Sequence, residues 1–168
     1  MSSDPPLGYT TPSFPALYWP FDAHPGQPQY LYSLTDIWRF TLYWTLLTIP
    51  CAHLVVSLWA VLMQLSTANG RHRYLHHTDA GKNLSRKNRK LLGEKPFQEC
   101  LTWVWLIPVI YLVIGGLEAL IAGSLVGLCL GAVYNAGYFA MSTWTPFIWG
   151  LVNMLVLILG GFRLQGGL

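Results

Sequence analysis

The chain has 168 residues, of which 53% are hydrophobic and only 10% are charged. This composition excludes an ordinary soluble domain and is typical of an integral membrane protein built as one domain. The formal net charge is +3, and the basic residues are concentrated in one segment, so the charge is informative about membrane topology.

Residues 1–32 form a tail that is rich in proline and contains no Lys or Arg. Its aromatic residues include Tyr9, Phe14 and Trp19. Because a segment of this composition cannot bury a core, we expect a disordered, extended and partly polyproline-like lumenal tail, with aromatic side chains against the membrane surface or other loops. Residues 33–168 are expected to form the membrane domain.

Three apolar stretches are long enough to cross a bilayer. We predict spans over residues 37–65, 103–134 and 146–163. The fold class is therefore all-α: a polytopic membrane protein with a bundle of three transmembrane helices, one domain and a Pro-rich N-terminal tail.

Local signals refine the three spans. Pro50 is expected to kink the first span near its middle. The second span lies in a longer apolar run that must tilt, bend or break, and a turn is expected at residues 135–137. Thr145 and Pro146 predict the start of the third span, because a hydroxyl N-cap followed by proline favours a helix N-terminus.

Residues 66–100 connect the first two spans and carry eight of the ten basic residues of the chain. The positive-inside rule predicts that this loop is cytoplasmic, which places the N-terminus in the lumen and the C-terminus in the cytoplasm. The loop contains a polybasic cluster of four residues, Arg86, Lys87, Arg89 and Lys90. This cluster either contacts anionic lipids of the cytoplasmic leaflet or acts only as a topology signal.

Five small residues recur at intervals of four in the second span: Gly115, Ala119, Gly123, Gly127 and Gly131. This spacing aligns them on one side of a helix over about 24 Å, where another backbone can approach closely. We predict that this small-residue stripe packs against another of the chain's spans or against a second copy. The alternative is the general enrichment of glycine in transmembrane helices.

Three polar residues, His53, Glu118 and Asn153, each fall near the centre of a different predicted span. Ionisable groups at that depth are costly and suggest function. They form either a hydrogen-bonded cluster that fixes helix register or a polar crevice for lipid headgroups or ions. No nucleophile with a positioned base and no set of metal ligands is recognisable, so we expect no catalysis, no metal and no cofactor.

Short motifs in order along the chain resemble the transmembrane protein 170 family, small three-span proteins of the endoplasmic reticulum and nuclear envelope. The motifs are residues 33–38 followed by Trp44 and His53, then Gly123 with residues 132–134 and Ala136, and finally residues 162–164. The resemblance implies a part in balancing membrane sheets against tubules, with lipid scrambling beside lipid-transport proteins as a further suggestion. Here the basic loop looks longer, and Glu118 stands where the family has small or apolar residues, so no role is transferred to either.

Together these features predict a non-enzymatic membrane protein of the endoplasmic reticulum and nuclear envelope that affects membrane organisation and shape. Its expected partners are membrane lipids, including the anionic cytoplasmic leaflet, and a second copy or another membrane protein, but no nucleic acid. One alternative is a lipid scramblase or small transporter with a polar crevice at mid-membrane. Another is an adaptor subunit of a larger complex.

Overall fold

The computed structural model of the chain describes residues 7–19, 29–77 and 103–165. Within these residues the elements are β1 (Tyr30–Leu31), α1 (Leu34–His77), α2 (Leu106–Gly137), β2 (Met141–Ser142) and α3 (Trp144–Gln165). Each helix contains a stretch long and apolar enough to cross a membrane. The predicted fold class, an all-α protein with three membrane-spanning helices, is confirmed.

The first helix is longer than its predicted span. α1 begins at Leu34 and continues past Leu65 to His77, so the first part of the predicted loop is helical. Pro50 lies inside this helix, at a position where a transmembrane helix tolerates the loss of one backbone donor. Residues 66–77 contain no proline and carry mostly polar side chains that are compatible with a helix, and a single glycine, Gly70, is too weak a helix breaker to end α1 there.

The end of α2 is a hydrogen-bonded cap rather than a turn at residues 135–137. The Phe139 amide donates to the Tyr134 carbonyl at 3.1 Å, and the Tyr138 amide donates to the Asn135 carbonyl at 3.3 Å. These two bonds form a Schellman motif. Tyr138 takes the left-handed position with a φ of 56°, so the helix includes Gly137 and ends three residues after the predicted span of residues 103–134.

The third helix begins at Trp144, two residues before the predicted span. Pro146 is consequently its third residue, and it is fully buried. The proline is tolerated there because the first four amides of a helix have no partner inside the helix. The Trp144 amide instead points to the Ser142 hydroxyl at 3.4 Å.

The chain divides into two compact units. One comprises Met1–Ala52 and Gly115–Leu168, and the other comprises His53–Ile114. The first unit therefore holds the start of α1, most of α2, both short strands and α3. The second unit holds the remainder of α1 and the start of α2.

In the first unit, a two-stranded ribbon ties the start of α1 to the start of α3. β1 and β2 are antiparallel, with Tyr30 opposite Ser142 and Leu31 opposite Met141. Leu31 and Met141 are fully buried and form a small core with Ile37 and Phe40 of α1. We call the two strands together with this small core the ribbon end.

Residues 7–19 of the tail pack against the ribbon end, and we call them the N-terminal strap. The Phe14 ring lies 5.0 Å from the Trp44 ring, measured between centroids. The Trp144 indole donates to the Tyr18 carbonyl at 2.8 Å. The Tyr9 hydroxyl donates to the Tyr30 carbonyl at 2.9 Å. The strap therefore gains its order from contacts with the membrane domain, since it has no apolar core of its own.

The Tyr9 hydroxyl remains a donor at physiological pH. Its pKa is raised above the ordinary value by burial first, and then by the Asp36 carboxylate and by Tyr32. A raised phenol pKa keeps the proton on the oxygen, so the bond from Tyr9 to β1 is maintained.

Candidate functional site

The candidate site is the set of contacts that α1 makes with α2 and α3 in the first unit. One side of α1 presents Leu34, Trp38 and Leu42 to α2 at intervals of four residues. An adjoining side presents Trp44, Thr45 and Thr48 to α3. α1 is therefore in contact with both neighbouring helices within the first unit.

The small-residue stripe of α2 lies inside the protein. Gly115, Ala119, Gly123, Gly127 and Gly131 are all buried. Large apolar residues elsewhere on α2 are exposed, with Ile121 at 65% and Val133 at 67%. This arrangement suits a membrane, where lipid solvates large apolar side chains and small residues let backbones meet.

Three of the glycines lie against the backbone of α1. A Cβ atom on Gly127 would lie 3.1 Å from the Trp38 carbonyl oxygen and 3.2 Å from the Trp38 Cα. A Cβ atom on Gly123 would lie 3.2 Å from the Leu42 Cα, and one on Gly131 would lie 3.3 Å from the Leu34 carbonyl oxygen. The positions on α1 rise from 34 to 42 as those on α2 fall from 131 to 123, so the two helices are antiparallel. They approach closely along at least two turns, and the side chains of Leu34 and Leu42 also lie against the glycines.

The contact between α1 and α3 combines a glycine with hydrogen bonds. A Cβ atom on Gly150 would lie 3.1 Å from the Trp44 carbonyl carbon. The Thr48 hydroxyl is 3.0 Å from the Gly150 carbonyl oxygen, 3.0 Å from that of Trp44 and 3.3 Å from that of Thr45, so its single proton is shared among three acceptors. Asn153 Nδ2 donates to the Thr45 hydroxyl at 3.3 Å. These bonds fix α3 on α1 at one register.

Buried threonines form a row on α1 that the sequence-based prediction omits. Thr41 donates to the Ile37 carbonyl at 2.8 Å, and Thr45 donates to the Thr41 carbonyl at 2.7 Å. Both side chains are fully buried. Their hydroxyls are hydrogen-bonded to the preceding turn of the same helix, so their burial in an apolar span leaves no polar group without a partner. The spacing of Thr41, Thr45 and Thr48 by four and three residues is the signal that identifies one helix face.

The three predicted mid-membrane residues have different surroundings. Asn153 is half-buried and bonds Thr45 in the first unit. Glu118 is half-buried on α2 next to Ala119, also in the first unit. His53 is half-buried in the second unit, where its ring lies 6.2 Å from that of Tyr111 between centroids. A pairing of His53 with Glu118 stays a prediction.

The polybasic cluster of Arg86, Lys87, Arg89 and Lys90 lies outside the described residues. Arg71 and Arg73 lie on the helical extension of α1, and both side chains are exposed. Among residues 7–19, 29–77 and 103–165, no group of three or more His, Cys, Asp or Glu side chains is placed to hold a metal ion.

The helices and their contacts define a multi-pass integral membrane protein whose spans pack through small residues. Residues 98–168 match the model of the family described as Transmembrane protein 170A/B-like. The chain is also 32% identical over 165 residues to an uncharacterized protein of Saccharomyces cerevisiae, an alignment that covers 98% of this chain and 94% of the relative. The chain belongs to the transmembrane protein 170A/B-like family, as its motifs predicted. No solved structure matches it.

Substitution of two glycines on α2 tests the packing. Gly127→Ala places a methyl group against the Trp38 backbone, which cannot rotate away as a side chain can, so we expect a loss of about 1 to 3 kcal/mol in the free energy of unfolding. Gly116 has no heavy atom within 4 Å of the position of an added Cβ. Gly116→Ala should therefore be neutral or should stabilise the helix by up to about 1 kcal/mol.

Denaturation of the two purified variants in detergent micelles measures this difference. Both substitutions add the same methyl group to the same helix, so propensity and composition are matched. Equal stability of the two variants would contradict the close approach of α1 and α2.

Proposed function

We propose that this protein is a non-enzymatic structural component of endoplasmic reticulum and nuclear envelope membranes that influences the balance between sheets and tubules. The observation that carries the proposal is the direct backbone contact of α1 with α2 at Gly123, Gly127 and Gly131. Helices that touch through backbone atoms deform little, so the surrounding lipid must adapt to them. The resemblance to the family supplies the organelle and the direction of the effect.

The unequal lengths of the spans support an effect on membrane shape. The apolar part of α1 runs from Leu34 to Leu65, before the polar residues 66–77, and is about 48 Å long at 1.5 Å per residue. α3 has 22 residues, about 33 Å. The hydrocarbon core is about 30 Å thick. A long and a short span that start at the same ribbon impose different local thicknesses or tilts, and each costs bilayer energy.

The hydrogen bonds of the polar groups also favour a structural role. Thr41 and Thr45 direct their hydroxyl protons to carbonyls of α1, and Thr48 directs its proton to α1 and α3. Groups that are engaged in this way hold the helices in register.

Removal of the protein from cells tests the proposal. We expect the ratio of sheets to tubules to change, and wild-type protein to restore it. Gly116→Ile, which projects into open space, should restore the ratio as well, whereas Gly127→Ile should not, because its side chain would overlap the α1 backbone.

Quantitative imaging of the reticulum at matched protein levels makes the measurement. An unchanged ratio after removal of the protein would refute the proposed function. Restoration by Gly127→Ile would separate the function from the α1–α2 contact.

We further propose an orientation with the N-terminus in the lumen and the basic segment in the cytoplasm. Eight of the ten basic residues lie in residues 66–100, as the positive-inside rule requires for a cytoplasmic loop. Arg86, Lys87, Arg89 and Lys90 would then meet anionic lipids of that leaflet, with each charge contributing about 1 kcal/mol. Arg71 and Arg73 at the end of α1 would lie in the same layer.

Glycosylation mapping tests the orientation. Gly8→Asn makes a sequon with Thr10 at an exposed position, and the φ of 87° at Gly8 is one that asparagine tolerates better than most residues. The chain already has a sequon at Asn83, which Asn83→Gln removes as a control. We expect endoglycosidase-sensitive glycan on the Gly8→Asn variant alone. Glycan at Asn83 would invert the orientation and rule out contact of the basic cluster with the cytoplasmic leaflet.

A second candidate function is lipid scrambling. It is favoured by the presence of two half-buried polar residues, Glu118 and Asn153, within the spans. If these residues guide headgroups, purified protein in vesicles should equalise a labelled phospholipid between leaflets. Glu118→Leu and Asn153→Leu should slow the exchange at least about tenfold, which corresponds to 1.4 kcal/mol on the barrier. Preserved leaflet asymmetry with wild-type protein would exclude this function.

A further inference from the structure

The strap, the ribbon and the turn at Phe139 expose aromatic side chains and have no charged residue of their own. Trp19 is 68% exposed and Phe139 is 67% exposed. Residues 7–19, 29–33 and 138–143 contain no Asp, Glu, Lys or Arg. In water, large exposed aromatic groups without neighbouring charges would be unfavourable. At a membrane boundary, aromatic rings are the side chains that are enriched.

Backbone contacts hold both aromatic residues beside the ends of membrane-spanning helices. Trp19 follows Tyr18, whose carbonyl accepts the bond from Trp144 at the first turn of α3. The Tyr18 hydroxyl is also 3.3 Å from that of Ser142. Phe139 follows the end of α2 by two residues and is fixed by its amide bond to Tyr134. Each ring is thus within a few residues of a helix end.

Arg39 marks the depth of the strap along α1. Its guanidinium is exposed and hydrogen-bonded to Tyr43, and a charged group at the edge of a span lies at the level of the headgroups. The Phe14 ring contacts Phe40, Tyr43 and Trp44, at centroid distances of 5.9, 5.5 and 5.0 Å. These partners follow Arg39 along α1, so Phe14 lies at or just inside the headgroup layer.

We propose that the N-terminal strap and the turn at Phe139 form an interfacial surface that inserts into the leaflet at the ribbon end. Its ligand is the neutral interfacial layer of the phospholipids, where acyl chains meet ester and phosphate groups. Trp19 and Phe139 are the inserted side chains. The contacts to Trp144, Ser142 and Tyr134 order the backbone before insertion, so little conformational entropy is lost on binding.

This inference rests on the proposed function in one respect. The strap adds protein area to only one leaflet, and an asymmetry of area between leaflets is what bends a bilayer. Insertion of the strap would therefore determine towards which side the proposed membrane shaping bends the bilayer. The strap and the turn at Phe139 contain no Asp, Glu, Lys or Arg, and the neighbouring Asp36 and Arg39 carry opposite charges. Insertion should therefore depend little on anionic lipid or ionic strength, unlike contacts of a basic segment.

Depth-dependent quenching tests the insertion. In full-length protein with Cys51, Cys100 and Cys129 replaced by alanine, single cysteines are introduced by Trp19→Cys, Phe139→Cys or Thr10→Cys. Each is labelled with an environment-sensitive dye in vesicles of phosphatidylcholine. Thr10 is an exposed polar residue of the same strap and provides the matched control.

We expect blue-shifted emission from the dyes at positions 19 and 139. Their quenching by spin-labelled lipid should exceed that at position 10 by about threefold or more. When iodide is present on both sides of the membrane, it should quench the dye at position 10 more strongly than the dyes at positions 19 and 139. The difference should persist at high salt and after addition of phosphatidylserine. Equal iodide quenching at all three positions, or insertion that requires phosphatidylserine, would overturn the inference.

The two proposals fail separately. Dyes that are shielded by lipid, in a protein whose removal leaves the reticulum unchanged, would refute membrane shaping and keep the interfacial surface. Dyes that are exposed to water, in a protein whose removal changes the reticulum, would refute the interfacial surface alone.

Discussion

The closest approach of α1 to α2, where Gly127 lies against the backbone of Trp38, is the constraint on which the first unit depends. Burial of large apolar side chains provides little driving force inside a bilayer, because lipid solvates them as well as protein does. Dispersion and weak Cα–H···O contacts between backbones must therefore supply much of the stability. Both decline steeply with distance, and a methyl group at Gly127 requires the two backbones to move apart by a few tenths of an ångström.

The polar side chains of α1 fix the register of helices that the glycines allow to approach closely. A helix that must contact two neighbours within a membrane needs a feature that distinguishes one register from another, and apolar surfaces provide little of this. Thr48 and Asn153 supply it by bonding across to and from α3. Thr41 and Thr45 bond to their own helix, which removes the cost of their hydroxyls without leaving protons for a passing headgroup. The same row of threonines on α1 thus fixes the register of α3 and keeps the buried hydroxyl groups hydrogen-bonded.

The spans and the small-residue stripe could be predicted from the sequence because both depend on simple quantities, apolar length and a four-residue period. The helix that packs against the small-residue stripe could not be predicted, because the four-residue spacing of small residues on α2 does not show which backbone faces Gly127. The strands of the ribbon could not be predicted either, because two residues per strand are too few to show an alternation of apolar and polar side chains. The left-handed cap falls on Tyr138 although Gly137 precedes it, because hydrogen bonds to the last turn decide where α2 reverses. α1 continues to His77 because polar residues fit a helix and a loop equally well.

The two ends of α1 carry different kinds of side chain. At Leu34 it is joined to an ordered, aromatic ribbon, and its last turns carry Arg71 and Arg73, which precede a segment rich in Lys and Arg. Aromatic insertion depends on the area and packing of the interfacial layer, whereas basic contacts depend on anionic lipid and salt. With the proposed interfacial surface at one end of α1 and the proposed lipid contacts of the basic segment at the other, the two ends would respond to different properties of the lipid. The proposed effect on membrane shape requires such a difference, because a bilayer bends when its two leaflets gain unequally from a bound protein.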